Sequence, residues 1–143
     1  MREIKFRGLQ IDGNGWVYGN LIKNESGQYC IFNYHFIPAL SVPSEKFIEV
    51  YPETVGQFTG KKINGIELYD GDKIEMEKRI DTIKVVKYCE KTMSFRIANE
   101  DYLQNENTMR VMGDSVWEVP QLNWWETFIN EMQIIGNIHE NKI

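Results

Sequence analysis

The stretch that decides the fold runs from residue 52 to residue 72 and reads PETVGQFTGKKINGIELYDGD. Within it, Asn64-Gly65 is the strongest hairpin signal in the chain, because both residues tolerate the positive φ that a two-residue turn requires. Gly56 and Gly60 frame a short apolar element before this turn. Residues 68–74 after it predict a strand that is entered through a glycine turn. Short strands joined by such turns are typical of a β-rich domain.

The chain before this stretch has the pattern of a β-meander. Ile4 and Phe6 alternate with charged residues, which is the period-two pattern of a half-buried strand. Gly19 interrupts an aromatic strand, as a bulge or a close backbone approach would. The predicted meander has strands at residues 3–7, 16–18, 29–32 and 46–50, and its turns include residues 12–15 and 24–27.

The C-terminal part of the chain predicts two more strands, one helix and a final strand. The β-branched runs at residues 82–88 and 94–97 predict the two strands. Pro120 suits the first turn of a helix, where no amide hydrogen is needed. Apolar residues then recur at three- and four-residue spacing, which predicts an amphipathic helix, and residues 133–138 predict the last strand. The apolar residues of the predicted helix are Leu122, Trp125, Ile129 and Met132.

These elements together predict a β-rich α+β fold. It comprises a meander of short strands, a C-terminal amphipathic helix and a final strand, with a small Src-homology-3-like barrel as one architecture for the strands. At 143 residues the chain is predicted to be a single domain. Three subdivisions can be drawn within it: a β-meander at 1–50, a barrel-like core at 51–98, and a loop, helix and strand at 99–143.

Composition and charge exclude several classes of protein. The chain has 16 basic and 21 acidic side chains, a formal net charge of −5, and 13% aromatic residues. So many aromatic residues exclude a disordered chain, and no apolar run approaches the roughly 18 residues of a membrane helix. The negative charge argues against a nucleic-acid partner, because such binding relies on basic side chains that neutralise phosphates.

The cysteines and the N-terminus indicate a reducing compartment. Cys30 and Cys89 each lie in an apolar run, as buried free thiols do, and the N-terminus has no secretory signal. We therefore expect a cytoplasmic protein with free thiols, although a bridge between the two cysteines stays open.

No motif identifies a metal, cofactor or nucleophile site. The two histidines, His35 and His139, have no neighbouring His or Cys pair to complete a zinc site. The sequence has neither a GxSxG elbow nor a phosphate-binding loop. We predict no cofactor, no metal and no catalytic residue.

Two groups of polar residues each have two interpretations. Thr54, three residues before Gln57, fits a helix-capping box and also a small polar site with Glu53. Asp70 and Asp72 flank a glycine, which fits a turn in which Asp bonds its own backbone and also a carboxylate pair for cation or acid–base chemistry. An enzyme would require Glu53, Gln57 and Asp72 to converge in one pocket.

The aromatic side chains fit either a core or an interface. Trp is often only partly covered in a small domain, and Trp and Tyr are enriched where proteins meet. The segment 116–132 concentrates these residues and is therefore the predicted interaction surface. Its candidate contact residues are Trp117, Trp124, Trp125 and Phe128.

Three blocks of the sequence resemble the YopX-type phage proteins. The blocks are REIKFRG at 2–8 with WVYG at 16–19, the stretch at 52–72, and IGNIHEN at 135–141. The family pattern has Lys, Glu and Tyr where this chain has Ile66, Asp70 and His139. The motif residues, interpreted as structural, are Gly8, Trp16, Gly19, Pro52, Glu53, Thr54, Gly56, Gln57, Thr59, Gly60, Asn64, Gly65, Gly71, Asp72, Gly136 and Asn137.

This resemblance implies a phage or prophage origin, a bacterial cytoplasm, a β-rich fold and homo-oligomers. It implies no established activity, so it assigns no catalytic residue. We therefore expect a non-enzymatic interaction or assembly protein that forms homo-oligomers or binds a host or phage protein. The alternatives are a nucleic-acid-binding accessory protein of phage replication or transcription, and the enzyme considered above.

Overall fold

The alternation of apolar and polar residues produces short β-strands throughout the part of the chain that can be described. The computed structural model describes residues 1–37, 42–76, 83–90, 93–99 and 129–140. Within these ranges, 3-10 turns at Pro52–Thr54 and Ile129–Glu131 accompany the strands. The strands are β1 (Phe6–Leu9), β2 (Trp16–Lys23), β3 (Tyr29–Ile37), β4 (Val42–Glu49), β5 (Gly56–Ile63), β6 (Ile66–Tyr69), β7 (Asp72–Met76), β8 (Lys84–Cys89), β9 (Ser94–Asn99) and β10 (Met132–Asn137).

The strands form two antiparallel sheets, which confirms the β-rich prediction. The larger sheet has the order β4-β3-β2-β1-β5-β6, and the smaller has the order β10-β7-β8-β9. A barrel closes only when its first and last strands pair. Neither described sheet closes in this way, so the predicted barrel is wrong. The chain divides into two compact units, Met1–Gly60 and Lys61–Ile143.

Residues with positive φ form the turns where the sequence predicts them. Gly13 and Gly15, between β1 and β2, have φ angles of 80° and 86°. Asn64 and Gly65, between β5 and β6, have φ angles of 50° and 82°. Two consecutive positive values are what a type I′ hairpin turn requires, and its twist matches that of the flanking strands. Both turn predictions are confirmed.

One face of the first unit's strands packs into a core. Gly19 lies on this face, because the register pairs it with Phe6, which packs against the core. A Cβ atom on residue 19 would overlap the carbonyl oxygen of Phe32. Of the two interpretations of Gly19, the close backbone approach is confirmed. The buried core residues are Val17, Ile31 and Val50, with Phe6, Leu21, Tyr29, Ile48 and Val55 packed against them.

The second unit has its own core, and this core corrects the predicted helix. Ile129–Glu131 forms one 3-10 turn, and Met132 begins β10, so the prediction that the helix extends to Met132 is wrong. Met132 is 2% exposed, and this burial against the other strands overrides the helical spacing. The rest of the predicted helix, residues 120–128, lies outside the described residues. The buried residues of this core are Ile63, Leu68, Ile74, Val86, Ile97 and Met132.

The close approach at Gly19 predicts a large difference between two neighbouring substitutions. Gly19→Ala inserts a methyl group against the Phe32 carbonyl, so we expect it to lower the free energy of unfolding by about 3 kcal/mol. Asn20→Ala removes an exposed side chain from the same strand and should change the free energy of unfolding by no more than about 0.5 kcal/mol. Urea unfolding followed by tryptophan fluorescence measures both. Equal losses would show that the spacing at Gly19 does not constrain the sheet.

Candidate functional site

The predicted aromatic interaction surface lies outside the described residues. This holds for Trp117, Trp124, Trp125 and Phe128, so nothing is assigned to their positions. Two other sets of residues can be described: the polar motif residues, and the solvent-facing side of the first unit's sheet.

In the first unit, Thr54 connects the 3-10 turn to β1. Thr54 is 3% exposed; its Oγ1 accepts a hydrogen bond from the Leu9 amide at 2.9 Å and donates one to the Tyr51 carbonyl oxygen at 2.7 Å. The capping box predicted for Thr54 and Gln57 is wrong, because Thr54 ends a turn whose N-cap is Tyr51, and Gln57 lies in β5. Glu53 is exposed on the same turn. The hydroxyl thus supplies the partner of a buried backbone donor.

A buried arginine in β1 is covered by a motif tryptophan. Arg7 is 6% exposed, and its Cζ atom lies 4.9 Å from the centroid of the Trp16 ring. A guanidinium held over an aromatic ring is attracted by the ring quadrupole, more strongly when water is excluded. Trp16 therefore stabilises a charged group of the first unit.

Two motif blocks that are distant in sequence meet in the second unit. Asp72 is 2% exposed, and its Oδ2 accepts a hydrogen bond from the Tyr69 amide at 2.7 Å. The pairing of β7 with β10 sets Asp72 opposite Asn137, and the Ile138 amide donates to the carbonyl oxygen of Gly71 at 2.9 Å. No local sequence pattern predicts this meeting, because it depends on the pairing of two strands that are far apart in the chain.

Asn137 holds the turn that follows β10. Its Oδ1 accepts a hydrogen bond from the His139 amide at 2.8 Å, and its Nδ2 donates to Glu140 Oε1 at 3.1 Å. Asn137 and His139 are each 8% exposed. In the part of the chain that the structure describes, no three His, Cys, Asp or Glu side chains are grouped to hold a metal ion. In these contacts the side-chain oxygens of Asp72 and Asn137 accept hydrogen bonds from backbone amides, and each bond stabilises a turn.

The sheet of the first unit also has an outer face, formed by the residues that alternate with the core residues. Successive side chains of a strand point to opposite faces, and paired residues share a face. Because Val17 and Leu21 of β2 face the core, Tyr18 and Ile22 lie on the other side. The strand registers place Arg7 beside Tyr18, Cys30 beside Ile22 and Phe32 beside Asn20. On β4, Glu49 pairs with Cys30 and Phe47 with Phe32. We define the outer face by Tyr18, Asn20, Ile22, Cys30, Phe32, Phe47 and Glu49.

Apart from Asn20, the outer face is apolar at its centre, and it carries a charged residue at each of its two sides. Phe47 is 63% exposed and Tyr18 41% exposed, and the rings of Phe32 and Phe47 have centroids 5.0 Å apart. On the β1 side, Lys5 Nζ lies 6.0 Å from the Tyr18 ring centroid. On the β4 side, Glu49 carries the opposite charge. The sequence carries a partial signal in β2, where Tyr18 and Ile22 alternate with Val17 and Leu21. The residues of β3 and β4 on this face depend on long-range strand pairing.

One comparison with known proteins identifies the family to which the chain is similar. A family model described as YopX protein matches residues 5–142, nearly the whole chain. No curated protein matches the chain. Among the described residues, no helix is long and apolar enough to cross a membrane.

The two hydrogen bonds of Thr54 predict an order of stability among variants. Thr54→Val keeps the shape but leaves the buried Leu9 amide without its acceptor, so we expect a loss of about 1–3 kcal/mol in unfolding free energy. Thr54→Ser keeps the hydroxyl and removes one methyl group, which should cost about 0.8 kcal/mol. Thermal unfolding by circular dichroism ranks the two. If the serine variant is the less stable one, methyl packing rather than the hydroxyl holds the turn.

Asp72 allows a parallel test in the second unit. Asp72→Ala removes the acceptor of the buried Tyr69 amide and is expected to cost about 1–3 kcal/mol of unfolding free energy. Glu75→Ala, at an exposed position of the same strand, should cost no more than about 0.5 kcal/mol. Denaturant titration of both proteins is the measurement. An Asp72 variant as stable as the Glu75 variant would contradict a role for the carboxylate in holding the turn.

Proposed function

The chain belongs to the YopX protein family, and on that premise we propose that it is a non-enzymatic interaction and assembly protein that forms homo-oligomers. The observation that carries the proposal is the outer face, on which Phe47 and Tyr18 expose aromatic rings on a hydrogen-bonded sheet. Exposed apolar surface is removed from water on association, with a gain of about 25 cal/mol per Å². Aromatic residues are enriched at the centres of interfaces for this reason.

The polar motif residues support an interaction role over a catalytic one. Thr54, Asp72 and Asn137 each direct a side-chain oxygen at a backbone amide of their own unit. A general acid or base must instead reach a substrate proton. The enzyme hypothesis built on Glu53, Gln57 and Asp72 accordingly ranks below the interaction role.

The proposal has a cellular setting and a second surface, both drawn from the sequence. We propose that the protein is phage-encoded and acts in the bacterial cytoplasm, as its likeness to YopX-type phage proteins implies. Trp117, Trp124, Trp125 and Phe128 remain the predicted further contacts. A host or phage protein is the other class of partner that these aromatics would suit.

A nucleic-acid-binding accessory role is the second candidate, and one observation favours it. Lys5 lies over the Tyr18 ring, and Arg7 lies over the Trp16 ring. Cationic groups beside aromatic rings are the elements with which proteins bind single strands. This role ranks second because Arg7 is buried and the net charge of −5 repels phosphates.

Size-exclusion chromatography with light scattering, and with absorbance recorded at 260 and 280 nm, tests the proposed function. We expect a mass that is a multiple of the 16.9 kDa chain and an absorbance ratio of protein alone. A 16.9 kDa species at every concentration, with no protein partner captured, would contradict the proposal. A high 260 nm signal that nuclease removes, together with a gel shift at low salt, would favour the second candidate instead.

A further inference from the structure

We propose that the outer face is the contact between two copies of this chain, stacked face to face about a two-fold axis parallel to the strands. The inference rests on the proposed function and names the partner of that surface, a second copy. It follows from three properties of the outer face: its apolar centre, the order of its strands, and the position of its charges.

The apolar centre is suited to packing against an identical surface. Phe32 and Phe47 lie side by side on neighbouring strands, with their ring planes inclined at 39°. Tyr18 and Ile22 extend the apolar surface across β2, and both are exposed. Two sheets pack with their facing side chains interdigitated and their strands nearly aligned. A two-fold contact uses the same patch on both copies, so one apolar patch is enough.

The strand order restricts the axis. Across the outer face the strands run in the order β1, β2, β3, β4. A two-fold axis parallel to the strands, lying between β2 and β3, places β1 of each copy over β4 of the other. An axis perpendicular to the strands would place β1 over β1 and β4 over β4.

The charges distinguish these two arrangements. Lys5 lies on the β1 side, where its carbonyl oxygen accepts a hydrogen bond from the Phe58 amide at 2.8 Å. Glu49 lies on the β4 side, where its Oε1 accepts a hydrogen bond from Gln28 Nε2 at 2.9 Å. The parallel axis brings Lys5 of each copy to the side that carries Glu49 of the other. The perpendicular axis brings like charges together, which opposes association.

The same charges favour a second copy over other occupants. A patch with a cation on one side and an anion on the other is complementary to itself after a two-fold rotation. A nucleic acid would meet the Glu49 carboxylate on one side. A protein surface of one charge sign would likewise be attracted by one side and repelled by the other.

Charge reversal with rescue tests this pairing. Lys5→Glu and Glu49→Lys are each expected to raise the dimer Kd about fivefold, because each places like charges at both ends of the contact. The double variant Lys5→Glu/Glu49→Lys restores opposite charges and should return the Kd to within about twofold of the original. The measurement is a dilution series of the full chain followed by light scattering.

Two further variants serve as controls for charge and for the apolar centre. Glu25→Lys makes the same charge change at an exposed position of the β2–β3 turn and should leave the Kd unchanged. Phe47→Ser removes an exposed ring and is expected to raise the Kd at least about tenfold, while circular dichroism shows that the dissociated chain keeps its β-sheet fold.

The outcomes separate the inference from the proposed function. Rescue by the double variant, with a weakened Phe47→Ser variant, supports the face-to-face dimer. The inference fails, and the proposed function stands, if the original chain associates but the double variant has a Kd as high as that of the single variants. The same holds if Phe47→Ser associates with the Kd of the original chain. If the original chain is monomeric at every concentration and captures no partner, the proposed function fails as well.

Discussion

The close approach of β2 and β3 at Gly19 is the constraint on which the first unit depends. A side chain at this position would overlap the carbonyl oxygen of Phe32, so the two strands can be this close only where the glycine lies. A slip of one residue in a sheet moves every side chain to the opposite face. With Gly19 fixed on the core face beside Val17, Tyr18 and Ile22 have to face away from the core. The apolar outer face therefore follows from the register that this glycine sets.

A close contact at Gly8 and the hydroxyl of Thr54 further constrain the backbone of the first unit. A Cβ atom on Gly8 would lie 2.8 Å from side-chain atoms of Val50, which is 1% exposed in the core. The Thr54 hydroxyl then satisfies the amide of Leu9, the residue next to Gly8. Gly8 and Thr54, which lie in separate family blocks, are thus linked through adjacent residues of β1. Their shared property is that they permit or satisfy backbone contacts, a requirement that belongs to the fold rather than to a reaction.

The features that could be predicted from the sequence are those decided by short-range chemistry. The Asn64-Gly65 turn follows from the positive φ angles that the two residues tolerate, and the structure has them. The capping box predicted at Thr54 is wrong because the hydroxyl binds the amide of Leu9, 45 residues away in the chain. The helix predicted at Met132 is wrong because the burial of Met132 in β10, not its local spacing, decides its conformation. The outer face needed the pairing of β2, β3 and β4, which no local pattern contains.

The central claim is that copies of the chain meet through the outer face, and Cys30 is a native probe of it. Cys30 is a half-buried free thiol on that face, opposite Glu49 in the register of β3 and β4. The most direct measurement is the rate of maleimide labelling of Cys30, read by peptide mass spectrometry at rising protein concentration. If the claim holds, the rate falls over the same concentration range in which light scattering reports association. A Cys30 rate that stays constant while the chain associates would contradict it.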